Sequence, residues 1–398
     1  MNLKNRKKFY IIDFSAGNLI THHLNYAIVY SKFFKSIGYE YEIFTPKYLN
    51  SPELEFQFKV NKILISRYYR ILERKFNIWS IYYKCLRVFG IFGRLVDRTL
   101  GKLQLYYCIY VSYKRIAKTI DTNTIEIIFP STDLMAILLV KKMLKRKASI
   151  TKFHLRLNSI DKNLIDTNLN INGLEILEDL MKTYSNITLG CETKILIDTL
   201  ISRNKIFNKA LWVPLPSITM PVKQNKIDIY GFLGGAKKRK GFKEIPLWIE
   251  KISNIDKTSF FLVQKSPFIW PGYLDTIKVI KHLKNVELLA PILSNSDFFL
   301  QIQRCSYLVA PYDPDSYKLV GSSLFYYAAD SLIPTITYTG VGFSQDITAF
   351  NCGIIVKNFD ANLNLGKITK KKLQNNLINY NIFRNKQNLL FFNILPIA

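Results

Sequence analysis

Cysteine and histidine are scarce in this chain, and neither is arranged as a metal site. Among 398 residues there are four histidines and five cysteines, and no two cysteines form a C-x-x-C pair. The cysteines are scattered, at Cys85, Cys108, Cys191, Cys305 and Cys352. This pattern argues against a structural zinc site, so no metal is expected, and the unpaired thiols favour a reducing cytoplasm.

Long apolar runs are also missing. The chain has no uncharged apolar run of about 18 residues, the length that spans a bilayer as a helix. The N-terminal segment MNLKNRKKFYIIDFSAG begins with basic residues, but its apolar run is too short for the hydrophobic region of a secretory signal. The sequence therefore predicts no transmembrane helix and no secretion signal.

Acidic residues are few beside basic ones, with 29 Asp and Glu against 56 Lys and Arg, which gives a net charge of +27. Such an excess suggests an anionic partner, whether nucleic acid, anionic lipid or a phosphorylated substrate. The alternative is a general enrichment of the chain in Lys, Asn and Ile, which would leave part of this charge without a functional role. No nucleic-acid-binding signature is present, so no nucleic acid is expected as partner. The 48% apolar content excludes disorder and supports sizeable cores.

Strands and helices are predicted to alternate along the first half of the chain. The run FYIIDF at 9–14 predicts a buried strand, the spacing of apolar residues over 19–37 a helix, and 41–45 a second strand. Such a βαβ unit implies a parallel sheet, whose ligands bind beyond the carboxyl ends of its strands. The candidate ligand contacts at that first turn and helix start are Gly17, His22 and His23.

The segment 59–118 differs from its surroundings. It holds fourteen Lys and Arg against two acids, is rich in aromatic residues, and is predicted to form two or three amphipathic helices. Basic helices with aromatic residues can lie in the interface of an anionic membrane. The alternative is a helical insertion packed on the sheet, with its aromatic residues in the core and its cations in water.

Alternation resumes at the strand 125–129 and continues through 149–157, where His154 and Arg156 lie near a strand end. The proline-rich stretch 214–226 has neither helical nor strand periodicity and is predicted to be a linker. It divides the chain into an N-terminal domain, 1–213, and a C-terminal domain, 227–398, in which the alternation starts again.

The second domain opens with IDIYGFLGGAKKRKGF at 227–242. An apolar run, two glycines and four consecutive basic residues predict a strand, a tight turn and a helix start. Glycine lets a backbone approach a ligand closely, and a helix N-terminus offers free N–H groups, so a phosphate or diphosphate is the simplest partner. A solvated basic turn is the alternative. Ser322 and Ser323, which follow Gly321 just before a predicted helix, form a second candidate anion site.

These residues resemble the donor-binding domain of retaining GT-B glycosyltransferases of the family 4 type. The phosphate loop of that family has the pattern G-x-x-R/K-x-x-K-G, which Gly234, Lys237, Lys240 and Gly241 match. Further matches, in order and spacing, are Pro311-Tyr312, Tyr317, Ser322-Ser323, Ala328 and Pro334, preceded by the segment VPLP at 213–216. The resemblance covers about residues 210–356, and the N-terminal half matches in architecture alone.

The resemblance implies an α/β protein with two Rossmann-like, doubly wound domains facing across a cleft. It also implies transfer of a sugar, of hexosyl type, from a nucleotide-diphosphate sugar with no bound metal. Lys237 and Lys240 would neutralise the departing diphosphate as catalytic cations. The remaining donor-binding positions are Gly234, Gly235, Gly241, Tyr317, Ser322 and Ser323. His154 would contact the sugar or acceptor as a further catalytic residue, with Arg156 near an anionic group.

The sequence departs from the family at a carboxylate that typically contacts the sugar or ribose. That position is Tyr327 here, a candidate sugar contact or a core aromatic, while Leu319 and Leu332 replace an earlier acid and a glycine. The departure implies altered donor contacts, relocation of the carboxylate or lost activity. The candidates for relocation are Asp313, Asp315 and Asp330.

The predicted function is therefore a cytoplasmic glycosyltransferase of surface-polysaccharide or lipid-linked glycan synthesis. The segment 59–118 would hold it at the inner face of the cell membrane, near a lipid-linked acceptor. The alternatives are a nucleotide-sugar epimerase of the same fold, a non-catalytic protein that binds a nucleotide-sugar, glycan or partner chain, and, on charge alone, a nucleic-acid binder.

Overall fold

The computed structural model describes residues 8–14, 22–47, 58–65, 90–120, 125–147, 151–160, 164–218, 227–359 and 369–394, together with 361, 363 and 365. The described chain falls into two compact units, of which the second consists mainly of Pro214–Leu390 and also includes Thr193–Leu196. The sequence places all of 227–398 in the second domain, whereas Phe391–Ile394 pack with the first unit.

Parallel strands alternate with helices up to Val213. In chain order the elements are β1 Lys8–Ile12, α1 His22–Ser36, β2 Glu40–Pro46, β3 Val60–Leu64, α2 Gly90–Thr119, β4 Ile125–Phe129, α3 Leu134–Lys147, β5 Thr151–Leu157, β6 Ile165–Asp166, β7 Ile171–Asn172, α4 Gly173–Thr183, β8 Ile187–Cys191, α5 Lys194–Arg203 and β9 Leu211–Trp212. Seven of these strands form one parallel sheet in the order β3-β2-β1-β4-β5-β8-β9. Its central strands β1, β4 and β5 are almost wholly buried, as their continuous apolar runs predict.

The second unit repeats this design. Its elements are β10 Ile229–Phe232, α6 Ile245–Ile255, β11 Phe260–Gln264, α7 Tyr273–Lys281, β12 Val286–Leu289, α8 Asn295–Arg304, β13 Tyr307–Ala310, α9 Pro314–Tyr317, α10 Ser323–Asp330, β14 Thr335–Tyr338, α11 Ser344–Phe350, β15 Gly353–Val356 and α12 Lys370–Phe391. The six strands are parallel, in the order β12-β11-β10-β13-β14-β15. The order reverses between β10 and β13, which makes that point the ligand-binding position of a doubly wound sheet.

The segment 59–118 is not wholly helical, so that prediction is wrong at its start. Val60–Leu64 form β3, an edge strand paired with β2. The carboxylate of Glu42 on β2 accepts hydrogen bonds from Lys59 and Asn61, which fixes this pairing. Arg115 of α2 donates to the carbonyl of Ile63 at 3.0 Å, so the helix packs on the same strand. Pairing and packing partners far along the chain outweigh local periodicity here. Residues 66–89 lie outside the described ones.

The weak apolar pattern after Lys357 conceals the 22-residue helix α12. The residues on its buried face are spaced three or four apart, at Leu373, Leu377, Tyr380, Arg384, Asn388 and Phe391. Arg384 donates to the carbonyls of Leu215 and Pro216, at 2.7 and 3.1 Å, and to Asp330 at 2.8 Å. Because two of the six buried positions are polar, hydropathy alone does not reveal the helix.

None of the described helices is long and apolar enough to cross a membrane. Of the predicted linker, residues 214–218 have no regular structure and 219–226 lie outside the described ones.

Candidate functional site

The basic glycine turn and the loop after β13 meet at the point where the strand order of the second sheet reverses. Strands β10 and β13 are neighbours in register, with Tyr230 opposite Tyr307. The chain leaves β10 into the turn 233–241 and leaves β13 into 311–323. Two segments that were separate in the sequence are therefore brought to one edge of one sheet.

The turn depends on glycine at two positions. Gly234 has a φ of +87°, and a Cβ added there would lie 2.8 Å from Lys240 Nζ and 3.3 Å from Leu324 Cδ2. Gly241 has a φ of +70°, and its Cβ would lie 1.9 Å from the carbonyl oxygen of Pro311. Because the backbones approach this closely, no other residue fits without displacing them. The contact with Leu324, in the first turn of α10, also shows that the two predicted anion sites adjoin each other.

Lys240 is the most buried cation of the turn, with 8% of its surface exposed. Its Nζ donates to the carbonyl of Gly234 at 2.6 Å and lies 5.4 Å from the ring centre of Tyr312. Burial, followed by repulsion from Lys237 and Arg239, lowers the pKa of Lys240 to about 7. Among the described residues, no carboxylate contributes to this change in the pKa of Lys240. An ammonium held in this way gains from an anion that enters beside it.

The other three cations of the turn occupy different environments. Lys237 is half-buried, and its pKa is lowered by burial and by Arg239. The Arg239 guanidinium lies 5.5 Å from the ring centre of Tyr317, and its carbonyl accepts from the Asp313 N–H at 3.1 Å. Lys238 is exposed. The two lysines with the family spacing are thus the buried and half-buried ones.

The loop after β13 brings a tyrosine pair and a serine cap to the turn. The rings of Tyr312 and Tyr317 lie 4.5 Å apart. Ser322 caps α10 by accepting from the N–H of Phe325 at 3.4 Å, and Ser323 is the first residue of that helix. Burial raises the pKa of the Tyr312 hydroxyl, which lies next to Ser322. Tyr312 was part of the sequence motif without being predicted as a site residue.

Gln264 was missed by the sequence analysis. It is the last residue of β11, the strand next to β10, and its Oε1 accepts from the N–H groups of Gly234 and Gly235, at 2.8 and 3.0 Å. Together with Lys240 and Tyr312 it lines a small pocket against the turn. A polar residue that ends the apolar run FFLV at a carboxyl strand end was the available signal.

The helix predicted to begin at the turn starts later. Two short 3₁₀ segments, Lys238–Lys240 and Phe242–Glu244, precede α6, which begins at Ile245. The N–H groups beside the pocket therefore belong to the glycine turn, where they donate to Gln264, and not to the first turn of α6.

His154 lies in the core of the first sheet. It is fully buried, and its Nε2 lies 2.6 Å from Glu126 on the neighbouring strand. The rings of Phe391 and Phe392 pack edge-on against it, with centroids 5.3 and 5.1 Å away. This placement is that of a core residue, and the contact with a sugar or acceptor stays a prediction.

Arg156 is likewise fully buried and joins the carboxyl ends of four strands. Its guanidinium donates to the carbonyls of Val213 and Pro130, at 2.9 and 3.1 Å, and forms an ion pair with Glu192 at 3.2 Å. With these partners inside the protein, Arg156 holds the strand ends together.

Tyr327 packs in the interior of the second unit, 1% exposed, with its ring centre 5.1 Å from that of Phe299 on α8. This packing agrees with the interpretation as a core aromatic, and the sugar contact stays a prediction. Asp330 pairs with Arg384, and Asp313 caps α9 by accepting from the N–H of Asp315 at 3.2 Å.

The remaining predictions fall on undescribed atoms. Gly17 lies outside the described residues, as do the side chains of His22 and His23, whose backbone opens α1. Within the described ranges, no group of three or more His, Cys, Asp or Glu side chains could hold a metal ion.

Neither protein-family models nor curated proteins match this chain. Solved structures do match it over nearly its whole length. A glycosyltransferase from Rickettsia africae aligns with a TM-score of 0.58 at 12% identity, covering 99% of this chain and 100% of that one. A UDP-forming α,α-trehalose-phosphate synthase from Burkholderia xenovorans aligns with a TM-score of 0.61 at 9% identity, with the same coverage.

A third structure, a point mutant of TarM from S. aureus in complex with UDP and sugar ligands, aligns with a TM-score of 0.59 at 11% identity, covering 97% of this chain and 100% of that one. The chain has the GT-B fold. The fold prediction is confirmed, including the two parallel, doubly wound sheets. At these identities the GT-B likeness concerns the fold alone.

Proposed function

We propose that this GT-B protein is a glycosyltransferase that takes a sugar from a nucleotide-diphosphate sugar. The observation that carries the proposal is the buried Lys240 ammonium against a glycine turn at the switch point of the second sheet. Lys240 and Lys237 would neutralise the charge that develops on the departing diphosphate, and Ser322 would bind a phosphate oxygen. With this charge supplied by lysine, the proposed reaction uses no bound metal.

The acceptor in this proposal is a glycan or a lipid-linked sugar, in surface-polysaccharide synthesis, and the reaction retains the anomeric configuration. These finer assignments, like the hexosyl type, rest on the sequence resemblance. One neighbour is named as UDP-forming and another was solved with UDP, so uridine nucleotides are the first donors to test.

Nucleotide binding tests the proposal directly. UDP, GDP, CMP and their sugars are titrated calorimetrically into the protein and into the double variant Lys237→Ala/Lys240→Ala. Removing both cations should weaken diphosphate binding at least about a hundredfold, because charge-assisted hydrogen bonds are each worth about 1.5–3 kcal/mol.

The matched control is Lys238→Ala/Lys243→Ala, which removes the same charge from two exposed positions, one in the turn and one in the 3₁₀ segment that follows it. It should bind nearly as the parent does. Equal losses in both double variants would show a general charge effect, and no binding of any nucleotide to the parent would refute the proposal.

A second candidate is a GT-B protein that binds a nucleotide-sugar without transferring it. The burial of Tyr327 favours it, because the family carboxylate at that position is replaced by a core side chain. Incubation with a bound donor and lipid-linked acceptors separates the two. A glycosylated product with retained configuration supports the transferase, whereas binding with neither product nor epimerised donor supports the non-catalytic protein.

We also propose that α2 holds the protein at an anionic membrane surface. Leu103, Tyr106, Tyr107 and Tyr110 are 38 to 61% exposed and follow helical spacing along one face. Lys114 and Lys142 lie 4.8 and 5.6 Å from the ring of Tyr110, so cations border the aromatic stripe. Aromatic rings flanked by cations fit the interface of a bilayer that carries negative charge.

Flotation with vesicles of neutral lipid, with and without phosphatidylglycerol, tests this attachment. The variant Tyr106→Ser/Tyr107→Ser should lose the binding, whereas Ile378→Ser/Ile382→Ser, which changes two exposed apolar side chains of α12, should keep it. Absence of salt-sensitive binding by the parent protein would refute the attachment and leave the proposed transferase activity untouched.

A further inference from the structure

Gln264 occupies the two N–H groups that the glycine turn offers. Gly234 and Gly235, with φ values of +87° and +78°, direct consecutive N–H groups to one oxygen, the carboxamide Oε1 of Gln264. Consecutive N–H groups that converge on one point form an anion-binding concavity. Here an uncharged oxygen from the same chain fills it.

The other end of the Gln264 side chain is weakly held. Its Nε2 lies 3.5 Å from the carbonyl of Pro291, at the limit of a hydrogen bond. Gln264 is also 6% exposed and, like Lys240, lines the pocket against the turn. To leave the turn, the side chain has to break two neutral hydrogen bonds and the weak contact with Pro291.

We propose that Gln264 is an internal competitor for the diphosphate, a residue that sets the affinity of the glycine turn by occupying its N–H groups until a phosphate oxygen displaces it. This inference rests on the proposed function. On binding, the phosphate takes the N–H groups of Gly234 and Gly235, and the Lys240 ammonium turns from the Gly234 carbonyl to the anion. The occupied state lowers the apparent affinity by the fraction of molecules in which the turn is free.

Two variants of Gln264 have opposite expected effects. Gln264→Ala removes the competitor, so it should tighten the Kd for UDP and for inorganic diphosphate about tenfold, within the net worth of two neutral hydrogen bonds. Gln264→Glu places a carboxylate on the same N–H groups as a stronger, charge-assisted acceptor that also repels phosphate, and should weaken both at least about tenfold.

Titration calorimetry of the parent, both variants and the control Gln374→Ala on α12 measures these shifts. The control should bind as the parent does. A merely structural Gln264 would make the alanine variant bind more weakly, since the turn would lose its support, and that result would overturn the inference. Unchanged affinity in the alanine variant would overturn it as well.

The melting temperature of each variant without ligand shows whether it folds. If Gln264→Ala does not fold, Gln264→Asn replaces it. Its side chain is one methylene shorter, so its oxygen cannot reach the two N–H groups, and the same tightening is expected. Loss of binding in Lys237→Ala/Lys240→Ala with no tighter binding in Gln264→Ala would refute the role of Gln264 as a competitor and leave the proposed function standing. If the parent binds neither UDP nor diphosphate, the proposed function and this inference both fall.

Discussion

Donor binding should depend on pH through Lys240. With its pKa at about 7 in the free protein, the side chain is charged below that pH and becomes neutral above it. A bound diphosphate favours the ammonium, so its pKa rises on binding and the protein takes up a proton. Affinity is therefore constant below pH about 7 and declines above it, by up to about tenfold per pH unit.

The magnitude follows from the fraction of protonated Lys240. At about pH 8.5 roughly one molecule in thirty carries the charge before binding, so the Kd should be about thirtyfold weaker than at about pH 6, or about 2 kcal/mol. The suitable ligand is a nucleotide-diphosphate sugar, because a terminal phosphate has a second ionisation near pH 6 that would mask the effect.

Titration calorimetry in two buffers of different ionisation enthalpy counts the protons directly. Uptake should approach one proton per donor at about pH 8.5 and vanish at about pH 6. The control Lys240→Gln, which cannot titrate, should bind more weakly with a flat profile. A flat profile in the parent would refute the role of Lys240, and an equal slope in the control would assign the effect to another group.

Three further outcomes concern stability. Lys240→Met should raise the free energy of unfolding by at least about 1 kcal/mol near pH 6, where the buried ammonium is charged, and by less near pH 9, as urea unfolding at both values would show. Gly241→Ala should cost about 2–4 kcal/mol because the new Cβ meets a backbone carbonyl at 1.9 Å, whereas Gly235→Ala, with nothing within 4 Å, should cost about 1 kcal/mol. Arg384→Met leaves Asp330 buried without its cation and should cost about 3–5 kcal/mol, and Arg384→Met/Asp330→Asn should restore only part of it, because the carbonyls of Leu215 and Pro216 still lack their donor.

The glycine turn 233–241 shows how much of the candidate site can be predicted from local sequence. Its glycines, the spacing of Lys237 and Lys240, and the serine cap before α10 are local features, because positive φ angles and N-caps depend on residues a few positions apart. What the sequence could not show is that Gln264 lies on the turn. That contact depends on the pairing of β11 with β10, about 30 residues away.

The site residues that were predicted from residue type and position alone lie in a different kind of environment. His154 and Arg156 were chosen because polar residues near a strand end often contact ligands. In the structure Glu126 and Glu192, from neighbouring strands, bind them inside the sheet. A polar residue next to apolar ones is compatible with a ligand contact and with a buried partner inside the sheet. Only the neighbouring strands decide between the two.

The sequence by itself determined the alternation of strands and helices, and with it two parallel sheets, and its resemblance to retaining glycosyltransferases predicted the GT-B fold. It also determined the glycine turn with its cations, since apolar periodicity, caps and turn residues act over short distances. The tertiary structure decided what long-range packing controls: the strand β3, the helix α12 with its buried Arg384, and the burial of Tyr327. It also decided that, of four consecutive basic residues, Lys240 is the one held inside the turn, because burial of a charge depends on which backbone and which ring close over it.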